Sequence, residues 1–237
     1  YKLQVADNEY FNSIMDSVIT ADSVYVFTNL PQGANIYVRA KKICSAGCES
    51  AWSEYQMVQM PCEPFTAYPW FENFNGLSSG TFEQSCWVNK HLAGNGYKRF
   101  EGYTTTIGGN ASGKLGHPTM TTGTQTLLAL PQMAFDSTKV YRFTISVYRA
   151  VSTASYAEEG IRLFISDGAF LNSKSEEIAF ISRNYTVADP GKVSAESAAG
   201  WYTYSFMLRP SGNKTIVLRG EAKNGGICYI DDLKMEE

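Results

Sequence analysis

Alternation of apolar and polar residues runs through most of this sequence and constrains the fold more than any other feature. The alternating runs are short, rich in Val, Ile, Thr, Tyr and Phe, and separated by Gly, Asn and Ser. Clear examples lie at residues 36–40, 140–147, 161–165 and 216–218. Because successive side chains of a strand point to opposite faces, each run predicts a strand with one buried face. Helical periodicity is weak, and its two modest candidates, 152–159 and 192–199, are equally compatible with loops. The chain is therefore predicted to be all-β, with a sandwich or jelly-roll architecture.

A proline-rich segment divides the chain. Two prolines lie within the four residues that follow Met60, and they stiffen the backbone and remove donors from a continuing strand ladder. The sequence thus predicts two domains, residues 1–60 and 61–237. It begins at Tyr1 without an initiator Met, and we expect it to be joined to other domains of a longer parent chain.

Charge and composition exclude several classes of partner. Twenty Lys and Arg against 23 Asp and Glu give a formal charge of −3, so no basic field attracts nucleic acid or an anionic membrane. The longest apolar runs, such as 126–130, are far shorter than the ~18–20 residues that cross a bilayer. We expect no nucleic-acid partner and no membrane insertion. Two histidines are also too few for a His-rich metal centre.

Enzyme motifs are absent or incomplete. Residues 108–114 have the glycine and lysine spacing of a phosphate-binding loop, but Leu115 stands where that loop requires Ser or Thr. The sequence contains neither a nucleophile elbow nor a zinc-protease helix motif. Adjacent carboxylates at 158–159 and 176–177 would point to opposite faces of a strand, which is typical of a solvated surface. The sequence predicts no catalytic residues and no enzymatic activity.

The first domain carries a motif of a known sandwich. Residues 24–42 read VYVFTNLPQGANIYVRAKK and are followed at 50–60 by SAWSEYQMVQM. Leu30 and Tyr37, on either side of a Gly-containing turn, resemble the corner of a fibronectin type III domain, whose Tyr is buried. The resemblance covers only the later strands. It implies a partial sandwich with one apolar inner face exposed, which we expect the second domain, other sequence or a neighbouring molecule to cover.

The second domain carries four motifs in order, namely CEPFTAYPWFEN at 62–73, Cys86-Trp87, GWYTY at 200–204 and YIDDL at 229–233. Together they resemble the MAM-like, gingipain-type cleaved-adhesin jelly rolls of secreted bacterial surface proteins. They are also similar to galactose-binding-like, carbohydrate-binding jelly rolls. The resemblance implies a β-sandwich jelly roll that is secreted or displayed on a cell surface.

The same resemblance implies a structural calcium ion held by Glu72 and Asp231. The first and last strands of a jelly roll lie side by side, so carboxylates on them can share one hard cation, with backbone carbonyls completing the shell. Alternation sends Asp231 and Asp232 to opposite faces, and the family pattern favours Asp231. The alternative is that both carboxylates are solvated residues at strand edges.

The five cysteines indicate an oxidising compartment. Cys44 and Cys48 flank a Gly-containing loop and are predicted to form a local disulfide. The resemblance implies a second pair, Cys62 with Cys86, which leaves Cys228 as a small buried hydrophobe. Metal binding by the first pair is disfavoured because no second Cys pair or His cluster accompanies it. Disulfides predict a secreted or cell-surface location.

Aromatic residues are the strongest candidates for ligand contacts. Fifteen Tyr, 13 Phe and four Trp exceed what two modest cores require. Sugars stack on exposed rings while nearby amides bond their hydroxyls, and loops usually carry such groups. The candidate ligand-binding residues are Tyr97, Tyr103, Asn95 and Asn110. Further candidate rings are Trp70, Trp87, Tyr148, Tyr156 and Tyr185. Core packing is favoured for Trp87 and Trp201.

These patterns predict a non-enzymatic adhesion or binding module that recognises a glycan or a host or matrix protein. The alternatives are an accessory domain of a larger secreted protease or glycosidase, and a structural spacer. Exposed rings on a sheet face or loop rim favour a glycan, and a flat apolar patch favours a protein. A spacer would show neither.

Overall fold

A computed structural model describes residues 1–45, 47–95, 97–117, 122–151, 153–223 and 225–237. The chain divides into two compact units, Tyr1–Glu63 and Pro64–Glu237. The division falls inside the proline-rich segment, where the backbone lacks donors at Pro61 and Pro64.

The first unit consists of one antiparallel sheet and a small hairpin. Its strands are β1 (Lys2–Ala6), β2 (Ile14–Ile19), β3 (Asn35–Lys41), β4 (Ile43–Ser45), β5 (Cys48–Glu49) and β6 (Gln56–Gln59). The sheet order is β2-β1-β3-β6, and β4 pairs with β5. Val5 and Ile36 are buried on one face, whereas Val24 and Val26 are 76% and 72% exposed. The unit therefore leaves apolar side chains in solvent.

The prediction that Tyr37 is buried is wrong, because its neighbour Ile36 takes the buried position. Ile36 is buried at 4% exposure, while Tyr37 is half-buried and packs edge-on against Tyr55, with 5.4 Å between ring centroids. Val5 pairs with Val38, so alternation along β3 places Ile36 on the face of Val5 and Tyr37 on the other.

The predicted Cys44–Cys48 disulfide is also wrong, because both residues are free thiols. Ser45, not Cys44, is the partner of Cys48 in the β4–β5 register. Cys62 and Cys86, in contrast, are both disulfide-bonded. Cys228 is fully buried, and burial raises the pKa of its thiol to about 12.

The second unit is a sandwich of two antiparallel sheets. The seven-stranded sheet has the order β17-β14-β19-β11-β10-β8, and β7 also pairs with β19. The six-stranded sheet has the order β16-β15-β18-β12-β9, and β13 also pairs with β18. The strands are β7 (Trp70–Glu72), β8 (Gly80–Thr81), β9 (Val88–Ala93), β10 (Glu101–Tyr103), β11 (Lys114–His117), β12 (Gln125–Ala129), β13 (Met133–Phe135), β14 (Tyr141–Arg149), β15 (Gly160–Ser166), β16 (Glu176–Ser182), β17 (Gly200–Leu208), β18 (Gly212–Glu221) and β19 (Cys228–Glu236).

The prediction of an all-β sandwich is confirmed. The described residues contain one short 3-10 turn, Ala154–Tyr156, inside one of the two weak helical candidates, and 192–199 form no helix. No helix in the described ranges is long and apolar enough to cross a membrane.

The core lies between the two sheets and follows from alternation on both. Phe143, Ile145 and Val147 of β14 are fully buried, as are Ile161 and Leu163 of β15. Trp87 packs against this core, as expected. Because inward residues alternate with outward ones, the same strands present a second, outward set of side chains to solvent or to loops.

A buried arginine fixes one end of the sandwich. Arg149, the last residue of β14, is 0% exposed. Its guanidinium donates to the carbonyl oxygens of Ser182 and Ser194, both at 2.8 Å, and to the Tyr204 hydroxyl at 2.9 Å. It also donates to the Asn184 and Val187 carbonyls. A buried charge is costly unless hydrogen bonds compensate it, and these five acceptors do so while holding the segment after β16.

We expect Arg149→Met to lower the free energy of unfolding by about 2–5 kcal/mol, because it leaves buried carbonyls without a donor. Arg142→Met on the same strand is the matched control. The Arg142 side chain is 52% exposed and pairs with Glu236, so its loss should cost about 0–1 kcal/mol. Urea unfolding of both variants measures the difference, and equal losses would contradict this role of Arg149.

The core also contains a neutral histidine. His117 on β11 is 1% exposed, and its Nδ1 lies 2.8 Å from Thr126 Oγ1. Burial lowers the pKa of His117 from its ordinary 6.5 to about 4. The unfolded chain therefore binds a proton at this residue in a pH range where the folded chain does not.

This difference predicts that the free energy of unfolding does not depend on His117 protonation above pH 6.5. It should decrease as the pH drops towards about 4, and His117 should account for at most about 3 kcal/mol of that decrease. His117→Gln should flatten that part of the pH dependence, whereas His91→Gln, which leaves His117 in place, should not. Urea unfolding at about pH 7 and about pH 4.5 tests both variants. An unchanged slope in His117→Gln would contradict the assignment.

Candidate functional site

Four aromatic side chains lie next to one another on the outer face of the seven-stranded sheet. Alternation buries Val147 of β14 in the core and turns Tyr148 outward. The register pairs Tyr148 with Trp201 on β17 and with Tyr229 on β19. Tyr103 on β10 follows, with its ring centroid 5.2 Å from that of Tyr229, and the Tyr148 and Trp201 centroids are 5.6 Å apart. We call these four residues, Trp201, Tyr148, Tyr229 and Tyr103, the aromatic row.

A glycine on the intervening strand lets Tyr229 and Tyr103 of the row meet. Gly116 of β11 lies opposite Tyr229, between the strands that carry Tyr229 and Tyr103. A Cβ atom at Gly116 would stand 2.6 Å from Cε2 of Tyr103. The absence of a side chain therefore lets the two tyrosine rings meet across β11.

The rings of the row combine apolar faces with neutral polar groups. All four residues are half-buried, so part of each remains accessible. Burial raises the pKa of Tyr229 above its usual value. Burial and a 3.0 Å hydrogen bond from the Tyr103 hydroxyl to Glu101 raise the pKa of Tyr103 as well. Both phenols keep their protons at neutral pH. The Tyr103 hydroxyl donates to Glu101 and can accept a further hydrogen bond, whereas the Tyr229 hydroxyl can donate or accept.

The loop 104–113 is fixed against this row. The Trp201 indole Nε1 donates to the Ile107 carbonyl at 2.7 Å, and Asn110 Nδ2 donates to Asp231 Oδ2 at 2.7 Å. A Cβ atom at Gly108 would lie 2.3 Å from Cε2 of Tyr148, so the backbone of the loop touches that ring. This is the segment with phosphate-loop spacing, and it connects two strands, β10 and β11, without a helix.

Paired hydroxyls continue the outer face beyond the row. Ser146 Oγ lies 2.9 Å from Thr203 Oγ1, and Thr144 Oγ1 lies 3.0 Å from Ser205 Oγ. These pairs belong to β14 and β17, the strands that carry Tyr148 and Trp201. The face therefore has rings at one end and small hydroxyl groups next to them, of which Thr203 and Ser205 are exposed and Ser146 is buried.

The outer face of the six-stranded sheet has a different chemistry. Glu221 Oε1 accepts from Arg219 Nε at 2.7 Å, and Arg162 Nη1 donates to Glu177 at 2.8 Å. Its apolar residues Leu127, Ala129 and Val217 are fully buried. Ion pairs and covered aliphatic groups thus occupy this face, and the accessible ring platform is on the other sheet.

The sequence-predicted ligand residues separate into two places. Tyr103 belongs to the aromatic row and Asn110 to the loop beside it. Tyr97 is 74% exposed and follows β9, the edge strand of the other sheet, with its ring 5.7 Å from that of His91. Asn95 lies in the same segment, where its carbonyl accepts from Thr124 Oγ1 at 3.3 Å. The structure does not bring these four residues to one site.

Sequence reasoning missed Tyr229 and misplaced Trp201. Trp201 was expected in the core, but its neighbour Tyr202 packs there and Trp201 faces outward. Tyr229 lies between the buried residues Cys228 and Ile230, so alternation along the YIDDL motif already placed it on the outer face. That signal could have identified the residue.

The carboxylates predicted to bind calcium have separate partners. Glu72 Oε1 accepts from the Phe74 amide at 2.9 Å, and Glu72 Oε2 from Gln84 Nε2 at 3.4 Å. Asp231 is 2% exposed and accepts from Asn110 and, at 2.9 Å, from the Asp232 amide. Burial raises the pKa of Asp231. Within the described ranges, no group of three or more His, Cys, Asp or Glu side chains is arranged to hold a metal ion.

Comparisons with known proteins support the fold. No family model matches the sequence, and no curated protein matches it. The K1 cleaved-adhesin domain of Lys-gingipain from Porphyromonas gingivalis W83 is similar in structure, with a TM-score of 0.51 and 16% identity over 72% of this chain and 98% of that domain. The K2 cleaved-adhesin domain of Lys-gingipain gives a TM-score of 0.49 at 11% identity, covering 72% and 98% of the two chains.

The CBM22-1 xylan-binding domain from Paenibacillus barcinonensis gives a TM-score of 0.41 at 10% identity over 70% of this chain and 92% of that one. At these identities the K1 match establishes fold only. It confirms the predicted likeness to a gingipain-type cleaved-adhesin sandwich, while the fibronectin type III and MAM-like assignments stay predictions.

The contact between Gly108 and Tyr148 predicts the effect of a pair of matched variants. Gly108 and Gly109 both have positive φ, 54° and 84°, so Val strains the backbone at either position. Only at Gly108 does a new Cβ meet the ring, whereas Gly109 has open space. We expect Gly108→Val to cost about 1–3 kcal/mol more than Gly109→Val, because it forces the loop off the row.

Urea unfolding measures the cost, and amide hydrogen exchange of residues 104–113 shows whether the loop is released. Equal stability and equal exchange in the two variants would show that the loop does not depend on the Tyr148 contact.

Proposed function

We propose that the second unit is a non-enzymatic binding module that recognises a glycan at the aromatic row. The observation that carries this proposal is the row of four half-buried rings across one sheet face, two pairs in ring contact that the strand register sets side by side, next to paired hydroxyls. The flat face of a ring stacks on the apolar face of a sugar, and neutral phenol and hydroxyl groups exchange hydrogen bonds with sugar hydroxyls.

The chemistry of the face favours a neutral glycan over a protein ligand. Protein-binding patches are centred on fully desolvated apolar anchors. The row instead carries the polar phenols of Tyr103 and Tyr229, and the exposed Thr203 hydroxyl lies next to it. A host or matrix protein is therefore the second candidate ligand.

We propose further that the module belongs to a secreted or surface-attached bacterial protein. The disulfide-bonded Cys62 and Cys86 support an oxidising compartment. The sheet order β2-β1-β3-β6 and the unpaired extended segment around Val24 and Val26 support the later part of a fibronectin type III sandwich for the first unit. In such a protein the module acts in adhesion or as an accessory domain beside other domains.

A glycan array followed by calorimetry with the strongest hit tests the binding site. We expect Tyr229→Ala and Tyr148→Ala each to weaken binding by about tenfold or more, since loss of one stacking ring costs on the order of 1.4 kcal/mol. Tyr97→Ala is the matched control, because it removes an equal ring that is 74% exposed and away from the row.

Melting temperatures establish that the variants are folded. A hit whose affinity drops in Tyr97→Ala and is unchanged in both row variants would place the glycan site elsewhere. An array without hits, combined with binding to an extracellular-matrix protein that the row variants lose, would favour the protein ligand.

A further inference from the structure

A buried lysine lies beside the buried aspartate that was expected to bind calcium. Lys114, the first residue of β11, is 0% exposed. Its Nζ donates to the Thr105 carbonyl at 3.0 Å and also to the Ser112 carbonyl. Both acceptors belong to the loop 104–113. Lysine is almost never fully buried without a partner, so this ammonium group has a specific role in holding the loop.

The opposite charge comes from the neighbouring strand. Leu115 of β11 pairs with Ile230 of β19 in an antiparallel register, and one further step in that register sets Lys114 opposite Asp231. Directly opposed residues of an antiparallel pair have Cβ atoms roughly 5 Å apart, within the range of charge attraction. Burial lowers the pKa of Lys114, while the charge of Asp231 raises it.

The first strand of the unit approaches the same place. A Cβ atom at Gly113 would lie 2.2 Å from the Phe74 carbonyl oxygen, two residues after Glu72. The loop, the start of the unit and the last strand therefore meet around Lys114. This meeting of the first and last strands is what the calcium expectation required, and β7 does pair with β19.

The donor set at this position does not suit calcium while Lys114 is present. Calcium takes six to eight oxygen ligands, drawn from carboxylates and carbonyls. Asp231 and the Thr105 and Ser112 carbonyls are oxygens of that kind, but an ammonium already bonds the two carbonyls. Two cations cannot share one small buried site, because their repulsion in a low-dielectric interior is large.

We propose that the Lys114 ammonium is the built-in cation of this site, and that Asp231 takes no calcium ion while Lys114 is present. The lysine supplies the positive charge that neutralises Asp231, and it fixes the loop 104–113 by bonding two of its carbonyls. The second unit then keeps its stability in chelator.

Calcium titration of the whole chain tests this proposal. For the natural sequence we expect no calcium heat in calorimetry and the same melting temperature in EDTA and in millimolar calcium. Lys114→Ala removes the ammonium and leaves Asp231 and the carbonyls facing a cavity. This variant should melt several degrees lower in EDTA, and calcium should restore part of the loss.

Two further variants complete the test. Lys139→Ala is the matched control, since its ammonium bonds the exposed Glu237, and it should show neither effect. Lys114→Ala/Asp231→Asn should lose the gained calcium response.

Calcium binding by the natural sequence that Asp231→Asn abolishes would overturn the proposal. A folded Lys114→Ala variant that melts like the natural sequence in EDTA would overturn it too. If Lys114→Ala does not fold, the melting temperature of the natural sequence in EDTA and in calcium still shows whether the Lys114 ammonium or a calcium ion is the cation of this site.

Discussion

The last strand is the element on which the second unit depends. β19 pairs with β14, β11 and β7, so it joins the first strand of the unit to the middle of the larger sheet. Its inward side chains Cys228, Ile230, Leu233 and Met235 are fully buried in the core. Its outward side chains include Tyr229 and Asp231. One strand thus supplies core side chains on one face and, on the other, the centre of the aromatic row and the buried carboxylate.

A local irregularity in β19 makes this arrangement possible. The register with β14 shifts between Thr144 and Ser146, and Asp232 has a φ of 47°. Asp231 and Lys234 lie opposite outward residues of β14, so Asp232 and Leu233 together span the single position of Ile145, as in a β-bulge. Leu233 returns to the core while Asp232 stays exposed. A regular strand would instead have turned Asp232 inward, as the sequence pattern predicted.

The sequence predicted what periodicity and turn residues determine. The all-β class, the sandwich and the meeting of first and last strands follow from alternation and from motifs at the two ends. Three kinds of feature were beyond it. In the register of a short hairpin Cys48 pairs with Ser45, and the Cys44–Cys48 disulfide does not form. The buried position of β3 is Ile36 and not the neighbouring Tyr37. The aromatic row consists of residues from strands that are far apart in the sequence. Loop positions in the sequence drew attention to Tyr97, whereas the four rings of the aromatic row all belong to strands.

The loop 104–113 links the proposed binding face to the buried charges. Trp201 holds it through Ile107, and Lys114 holds it through Thr105 and Ser112. Asn110 connects it to Asp231. Because one side of this loop touches the rings and the other covers the lysine, the cation under the loop sets the position of the backbone above the row. A protein whose loop is fixed by its own ammonium group has a binding face that does not depend on the calcium concentration around it. An ion-bound loop would couple ligand binding to calcium through the same contacts.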